Sequence, residues 1–375
     1  MTDPPWTFDL PTKIRFGCGV FKELPEIARG YGARSAIVTG MRLANDPALI
    51  RLRDALGARV VFSEVTPNPT VEQVDALAGA ILAERCDVVI AIGGGSPIDC
   101  AKAASALAAT GEGSIRDFHS GGKILGAGRI PLIAVPTTAG TGSEVTSIAV
   151  LGDTIRNIKA PLASPALYPE HAVVDPKLTL SMSRFITTAT ALDAFTHAIE
   201  GFWSLGHQPI CDLAALEAAR LIMENLAGVI ENPCDLERRT RLSYAALLAG
   251  MAFQLQKNAM VHACAFPLSN RIYLSHGAAC AFTLEFAIRF NSESAPDRLA
   301  QFANYCGYVS TGVMADAVHK LKILGGLPCT LREAGISNDI VPALIAESFH
   351  PLMKNNPRKV TPEDLQRMYM ELDNV

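Results

Sequence analysis

Asp193 and His197 stand four residues apart in T-A-L-D-A-F-T-H-A-I-E-G-F-W (residues 190–203), whose apolar residues predict a helix buried nearly all round. On a helix, positions i and i+4 share one face and lie about 6 Å apart along the axis, so both side chains can reach a single ion. Taken alone, the pair reads first as a buried carboxylate–imidazole hydrogen bond. Further donors stand in M-V-H-A-C-A-F-P-L-S-N-R-I-Y-L-S-H-G, which sets His262 and His276 in a second mostly apolar region. His119, His171, His207, His319 and His350 have polar or loop-like surroundings instead. One carboxylate and three imidazoles form a nitrogen and oxygen donor set suited to Fe²⁺ or Zn²⁺, with positions left for a substrate oxygen.

A second kind of chemistry is signalled by glycine. D-V-V-I-A-I runs into Gly93, Gly94, Gly95, Ser96, Pro97 and Asp99, then into A-K-A-A-S-A-L-A-A. Glycines let backbone N–H groups close on an anion, and a helix entered through Pro97 points its positive end at that anion. The spacing is not the Rossmann G-x-G-x-x-G, and one such run is equally a tight turn with Ser96 as helix cap. A second run, Thr137, Thr138, Ala139, Gly140, Thr141, Gly142, Ser143, Glu144, follows P-L-I-A-V-P, and two such loops on one sheet favour a dinucleotide. A third strand end, S-A-I-V-T-G-M-R, offers Gly40 and Arg42. An acidic residue there would grip a ribose 2′-hydroxyl, whereas glycine makes room for a 2′-phosphate and arginine attracts it. That favours NADP(H) over NAD(H); the plainer alternative is a strand-to-helix turn with a surface arginine.

Holding these groups in place needs two kinds of element. Up to about residue 178, β-branched runs (35–39, 58–65, 87–92, 131–138) alternate with helix-like stretches such as 71–85, the pattern of a parallel sheet covered on both faces. Runs 147–151 and 171–175 are expected to pair as a separate ribbon. From Ser183 onward apolar residues recur at helical spacing, as in 214–226 and 240–253, with 361–369 as a capped closing helix. The expected organisation is a dinucleotide-binding α/β domain over 1–178 and an all-helical metal and substrate domain over 179–375, with ligands bound in a crevice.

Composition narrows the partners. A chain of 375 residues exceeds what one core usually serves, and 49% hydrophobic with 19% charged residues is ordinary globular composition. A net charge of −4 without a Lys/Arg block argues against nucleic acid. Nine scattered cysteines with no C-x-x-C pair resemble reduced thiols, and neither a targeting signal at M-T-D-P-P-W-T-F-D nor a membrane-length apolar run is present, so a cytoplasmic protein is expected.

The segments G-G-G-S-P-I-D-C-A-K, P-T-T-A-G-T-G-S-E-V-T, A-L-D-A-F-T-H-A-I-E and V-H-x(13)-H-G, in this order, resemble the iron-containing (group III) alcohol dehydrogenase family over about residues 10–375. The resemblance implies a dehydroquinate synthase-like architecture, a Rossmann-like sheet followed by helices. It implies a metal, Fe²⁺ or alternatively Zn²⁺, held by Asp193, His197, His262 and His276. It puts the cofactor pyrophosphate on Gly94, Gly95 and Ser96 with Asp99 supporting that loop, Thr137, Thr138 and Ser143 at the diphosphate or nicotinamide ribose, Asn68 near the adenosine and Lys159 near the nicotinamide ribose. Gly40 falls where NAD-preferring relatives carry Asp. The implied chemistry is hydride transfer between a nicotinamide and a small alcohol or aldehyde, with the metal as Lewis acid.

Two positions depart from the family. Phe266 stands where many members have a histidine, and Lys257 where relatives commonly have glycine or another small residue. A lysine there could hold an anionic substrate tail, with Arg271 as a second candidate, or be a solvated surface lysine. The combination resembles the phosphonoacetaldehyde reductase (2-hydroxyethylphosphonate dehydrogenase) subgroup, making Lys257, His262 and His276 the candidate catalytic residues. A dehydroquinate synthase-type lyase is the alternative of another reaction class. An exposed edge strand at 7–16 points to a homodimer.

Overall fold

The strand around Ile90 is apolar at every position because helices cover both its faces. Val88, Ile90 and Ile92 pack with Leu24, Leu49 and Leu52, while Val89 and Ala91 pack with Val74, Leu77 and Ile98 on the other side. The computed structural model describes residues 5–111, 113–119, 122–156 and 158–373. Residues 1–4, the start of the stretch read for a targeting signal, lie outside them.

The strands are β1 (Lys13–Phe16), β2 (Ser35–Gly40), β3 (Val60–Val65), β4 (Val88–Gly93), β5 (Leu132–Pro136), β6 (Ile148–Asp153), β7 (Ile158–Ala163) and β8 (His171–Val174). Six form one parallel sheet in the order β1-β8-β5-β4-β2-β3. The helices beside them are α1 (Leu24–Arg29), α2 (Pro47–Leu56), α3 (Val71–Ala83), α4 (Gly95–Thr110) and α5 (Arg116–His119). Thr70 starts α3 with a capping box, its hydroxyl accepting from Gln73 N while the Gln73 side chain accepts from Thr70 N.

The expected ribbon of 147–151 with 171–175 is corrected. The ribbon pairs β6 antiparallel with β7, and 171–174 is instead a central strand of the main sheet. Pro161 inside I-K-A-P-L-A demotes that run in any strand reading, so β6 lacked a visible partner. β6 shows the buried and half-buried alternation of a one-sided ribbon, whereas Ala172, Val173 and Val174 are all buried.

Among the described residues no strand follows β8. The remaining helices are α6 (Arg184–Trp203), α7 (Pro209–Glu231), α8 (Leu236–Gln256), α9 (Met260–Arg271), α10 (His276–Ser292), α11 (Pro296–Tyr305), α12 (Thr311–Gly325), α13 (Val341–Ser348) and α14 (Pro362–Asp373). A Rossmann-like parallel sheet followed by an all-helical half is the architecture the sequence implies. Contacts divide the described residues into a sheet unit, 10–138 with 142–179, and a helical unit, 180–373 with 139–141 and 5–9. No helix among the described residues is long and apolar enough to cross a membrane. Among the described residues no two cysteines are joined by a disulfide.

Candidate metal centre and nucleotide loops

α6 starts where Ser183 Oγ accepts from Ile186 N, and it is buried almost continuously from Thr187 to Trp203. Its hydroxyls survive burial by donating one turn back, Thr188 to Arg184 O and Thr196 to Leu192 O. Asp193 and His197 face α9 and α10. Asp193 Oδ1 lies 3.8 Å from His262 Nε2 and 3.6 Å from His276 Nε2, and the His197 and His262 Nε2 atoms are 3.1 Å apart. α10 can approach because Gly277 follows His276: a Cβ there would fall 2.2 Å from the Ala189 carbonyl oxygen.

Three of the four predicted ligands are nearly sealed, and only the His276 side chain, 31% exposed, reaches solvent. Phe253 of α8 stacks on the His197 ring at 4.3 Å. Burial, reinforced by the neighbouring imidazoles and opposed by the Gly140 backbone, holds His197 well below the usual histidine range. It is therefore neutral, as a ligand must be.

Sequence reading missed two residues here. Glu200, one turn beyond His197, accepts from His262 Nδ1 at 2.6 Å and from Val261 N at 2.6 Å. Cys280, one turn after His276 on the same helix face, brings its Sγ within 3.9 Å of His276 Nε2 and close to Asp193 and His262. The i, i+4 spacing was a signal for Cys280. Because His262 Nδ1–H donates to the Glu200 carboxylate, His262 turns an unprotonated Nε2 towards His197 and Asp193. Acceptors that converge in a buried pocket need a cation between them, and this donor set fits Fe²⁺ or Zn²⁺.

The sheet unit carries the glycine loops at the C-terminal strand ends. Successive crossovers reverse direction between β2 and β4, and ligands of such sheets bind at that switch point. Gly40 ends β2; Gly93 ends β4, and Gly94 caps α4, with Pro97 in its first turn. Asn68, in left-handed backbone at φ +59°, donates its N–H to Ser96 Oγ at 3.2 Å, which joins two predicted cofactor residues. Thr137 N donates to Gly93 O, and Thr138 Oγ1 lies against Gly94. Arg42 is exposed just beyond β2.

Asp99 supports these loops from behind. One oxygen accepts from Ser143 Oγ at 2.5 Å and the other from Val150 N at 2.9 Å. Lys102, which sequence reading missed, is fully buried and donates to Ser143 Oγ, Thr146 Oγ1 and Ile148 O. It is the one charged residue in A-K-A-A-S-A-L-A-A, a signal that was legible. Burial raises the Asp99 carboxyl against the opposing Lys102 and Lys159 charges, lowers Lys102 to about 8 and raises Glu144 to about 7.

Lys257 is exposed at the C-terminus of α8, with φ +59° and ψ 160°, a region almost reserved for glycine. Asn355 Nδ2 donates to the Lys257 and Asn258 carbonyls and pins that conformation. Arg271, the second candidate for an anion, has its guanidinium engaged by both Glu347 oxygens in an exposed pair. Phe266 packs edge-on to His350, ring centroids 5.0 Å apart.

Two family models match the chain, iron-containing alcohol dehydrogenase over residues 11–176 and the C-terminal domain of the Fe-containing alcohol dehydrogenase family over 187–372. The NAD-dependent methanol dehydrogenase of Bacillus methanolicus is 30% identical, covering 96% of this chain and 98% of that protein. The sulfoacetaldehyde reductase of Bilophila wadsworthia is 31% identical over 94% and 95%. The crystal structure of sulfoacetaldehyde reductase from Bifidobacterium kashiwanohense with NAD⁺ has a TM-score of 0.94 at 39% identity, covering 98% and 99%. An NAD-dependent relative and an NAD⁺ complex lend no support to the expected NADP(H) preference.

Proposed function

Because the chain belongs to the iron-containing alcohol dehydrogenase family, a family of alcohol and aldehyde oxidoreductases, we propose that it reduces a small anionic aldehyde with a nicotinamide dinucleotide. The observation that carries the redox reading is the convergence of Asp193 Oδ1 with three imidazoles in a buried pocket. When bound, the metal supplies a Lewis acid for the substrate oxygen, and the nicotinamide supplies or accepts the hydride.

The chain's own side chains do the rest. Asp193, His197, His262 and His276 hold the ion; Glu200 and Phe253 fix two of the rings; burial keeps water from the inner face. Gly94, Gly95 and Ser96 cradle the pyrophosphate at the start of α4, with Thr137, Thr138 and Ser143 beside it, Asn68 towards the adenosine and Lys159 towards the nicotinamide ribose. Residues 1–178 thus carry the dinucleotide and 179–375 the metal and substrate.

Lys257 is read as the anion holder. Its strained backbone would suit the small residue of its relatives, so the side chain itself is what the position retains. Two sulfoacetaldehyde reductases among the relatives support a charged aldehyde, sulfonate or phosphonate. With Arg271 tied to Glu347, a lyase of the dehydroquinate synthase type lacks the converging basic residues it needs. The 2′-phosphate reading of Gly40 and Arg42 stands as a proposal on the absence of an acid at the end of β2. A homodimer through the outer edge of β1 is proposed in the same way, and a monomer in light scattering would count against it.

The test is anaerobic purification and metal analysis, followed by NADH and NADPH oxidation with neutral aldehydes, sulfoacetaldehyde and phosphonoacetaldehyde. Turnover selective for the anionic aldehydes is expected. Turnover of neutral aldehydes alone would return Lys257 to the surface.

A further inference from the structure

We propose that Glu200, outside the four-ligand set, is a positioning residue that makes His262 a metal ligand by fixing which ring nitrogen carries the proton. The inference rests on the metal reading above. Glu200 is fully buried on α6 and spends each oxygen on a different task. Oε1 accepts from the backbone N–H of Val261, the second residue of α9, at 2.6 Å. That helix has Ala259 at its N-cap and no side-chain cap of its own, so Glu200 satisfies one of its open N–H groups from another helix. Its negative charge also meets the positive end of α9.

Oε2 accepts from His262 Nδ1 at 2.6 Å. A carboxylate only accepts, so the imidazole proton must sit on Nδ1, leaving the Nε2 lone pair for an ion. That Nε2 is the atom 3.1 Å from His197 Nε2 and 3.8 Å from Asp193 Oδ1. One side chain therefore builds the helix end that carries the ligand and sets the ligand's tautomer. Glu200 and Asp193 also bring two carboxylates to a cluster of otherwise neutral donors, the charge that a divalent cation balances.

Glu200→Gln separates the two tasks. The amide oxygen can still accept from Val261 N, but the amide NH₂ then faces His262 Nδ1 and favours the proton on Nε2, where the ion must bind. Metal-free wild type and E200Q are titrated anaerobically with Fe²⁺ and with Zn²⁺ against a chromogenic chelator. The variant is expected to bind about 10- to 100-fold more weakly, with unchanged circular dichroism and a metal-free melting temperature lowered by only a few degrees, the loss of the charge at the start of α9. Equal affinities would overturn the proposal.

A second reading does not depend on the variant folding. Nitrogen–proton correlation spectra of labelled imidazole rings in the metal-free wild type should give His262 as the Nδ1–H tautomer, and an Nε2–H tautomer would overturn the proposal. If the wild type binds no metal, the metal reading fails by itself while the ring spectrum still decides the role of Glu200.

Discussion

The Nε2 atoms of His197 and His262 face one another at 3.1 Å inside the helical unit, both rings nearly sealed from solvent. His262 Nδ1–H donates to Glu200 and burial keeps His197 neutral, so the unprotonated His262 Nε2 is turned towards the Asp193 carboxylate, acceptor towards acceptor. That arrangement is costly without a cation between them.

The first prediction follows from that pair. His197→Ala should lower bound metal to a small fraction of one ion per chain and reduce activity by at least about 100-fold, because a missing inner ligand costs more than a missing outer partner. Nucleotide affinity, measured by quenching of intrinsic fluorescence, should stay within a factor of about two, since the loop of residues 93–96 that cradles the pyrophosphate belongs to the sheet unit. Full metal content in the variant would sink the ligand assignment.

Lys257 yields a prediction that sets function against stability. Lys257→Gly removes a side chain from backbone that glycine adopts freely, so the variant should be more stable, by about 1 kcal/mol. The same change should raise KM for an anionic aldehyde about 10- to 100-fold, the worth of one charged hydrogen bond, with a much smaller effect on neutral aldehydes. Thermal melting and steady-state kinetics on one preparation check both. A parallel loss for charged and neutral substrates would mean that Lys257 does not touch the anion.

Cofactor choice can be tested without disturbing the fold. A Cβ built at Gly40 meets only Val65 O, at 3.5 Å, an ordinary contact, and the local φ of −88° suits any residue. Gly40→Asp should therefore fold normally and shift the NADH to NADPH ratio of kcat/KM towards NADH by about 10-fold or more, through repulsion of a 2′-phosphate. An unchanged ratio would remove the 2′-phosphate argument and leave NAD(H), as in the B. methanolicus and B. kashiwanohense relatives.

What was legible in the sequence was local. Asp193 and His197 declare themselves because polar residues at i and i+4 stand out on an apolar helix, and Gly93 to Ser96 because a strand, a glycine run and a helix start follow in order. Glu200 escaped because its meaning lies in partners 61 and 62 residues away, and Glu residues are common on helices for no special reason. The partner of Arg271 was hidden in the same way, since Glu347 is 76 residues further on. The ribbon was misread because Pro161 hides β7, and a strand reading then pairs β6 with the next apolar run.

The buried network behind the glycine loops predicts a pH dependence. Glu144 titrates at about 7 when folded, against 4.5 as its ordinary value, with burial as the main cause. The native state therefore holds a proton that the unfolded chain releases. The stability from this group is complete below 4.5 and is lost as pH rises to about 7. Lys102, lowered to about 8 from 10.5, has the opposite sense, its contribution being present above 10.5 and lost as pH falls through about 8. Glu144→Gln cannot titrate, so the melting-temperature difference between variant and wild type should move in the variant's favour from pH 5 to pH 7 and level off by about pH 8. Metal-free protein is used for both, so that metal loss in acid does not enter. A difference that stays flat across that window would show that Glu144 keeps its ordinary carboxyl behaviour beside Lys102.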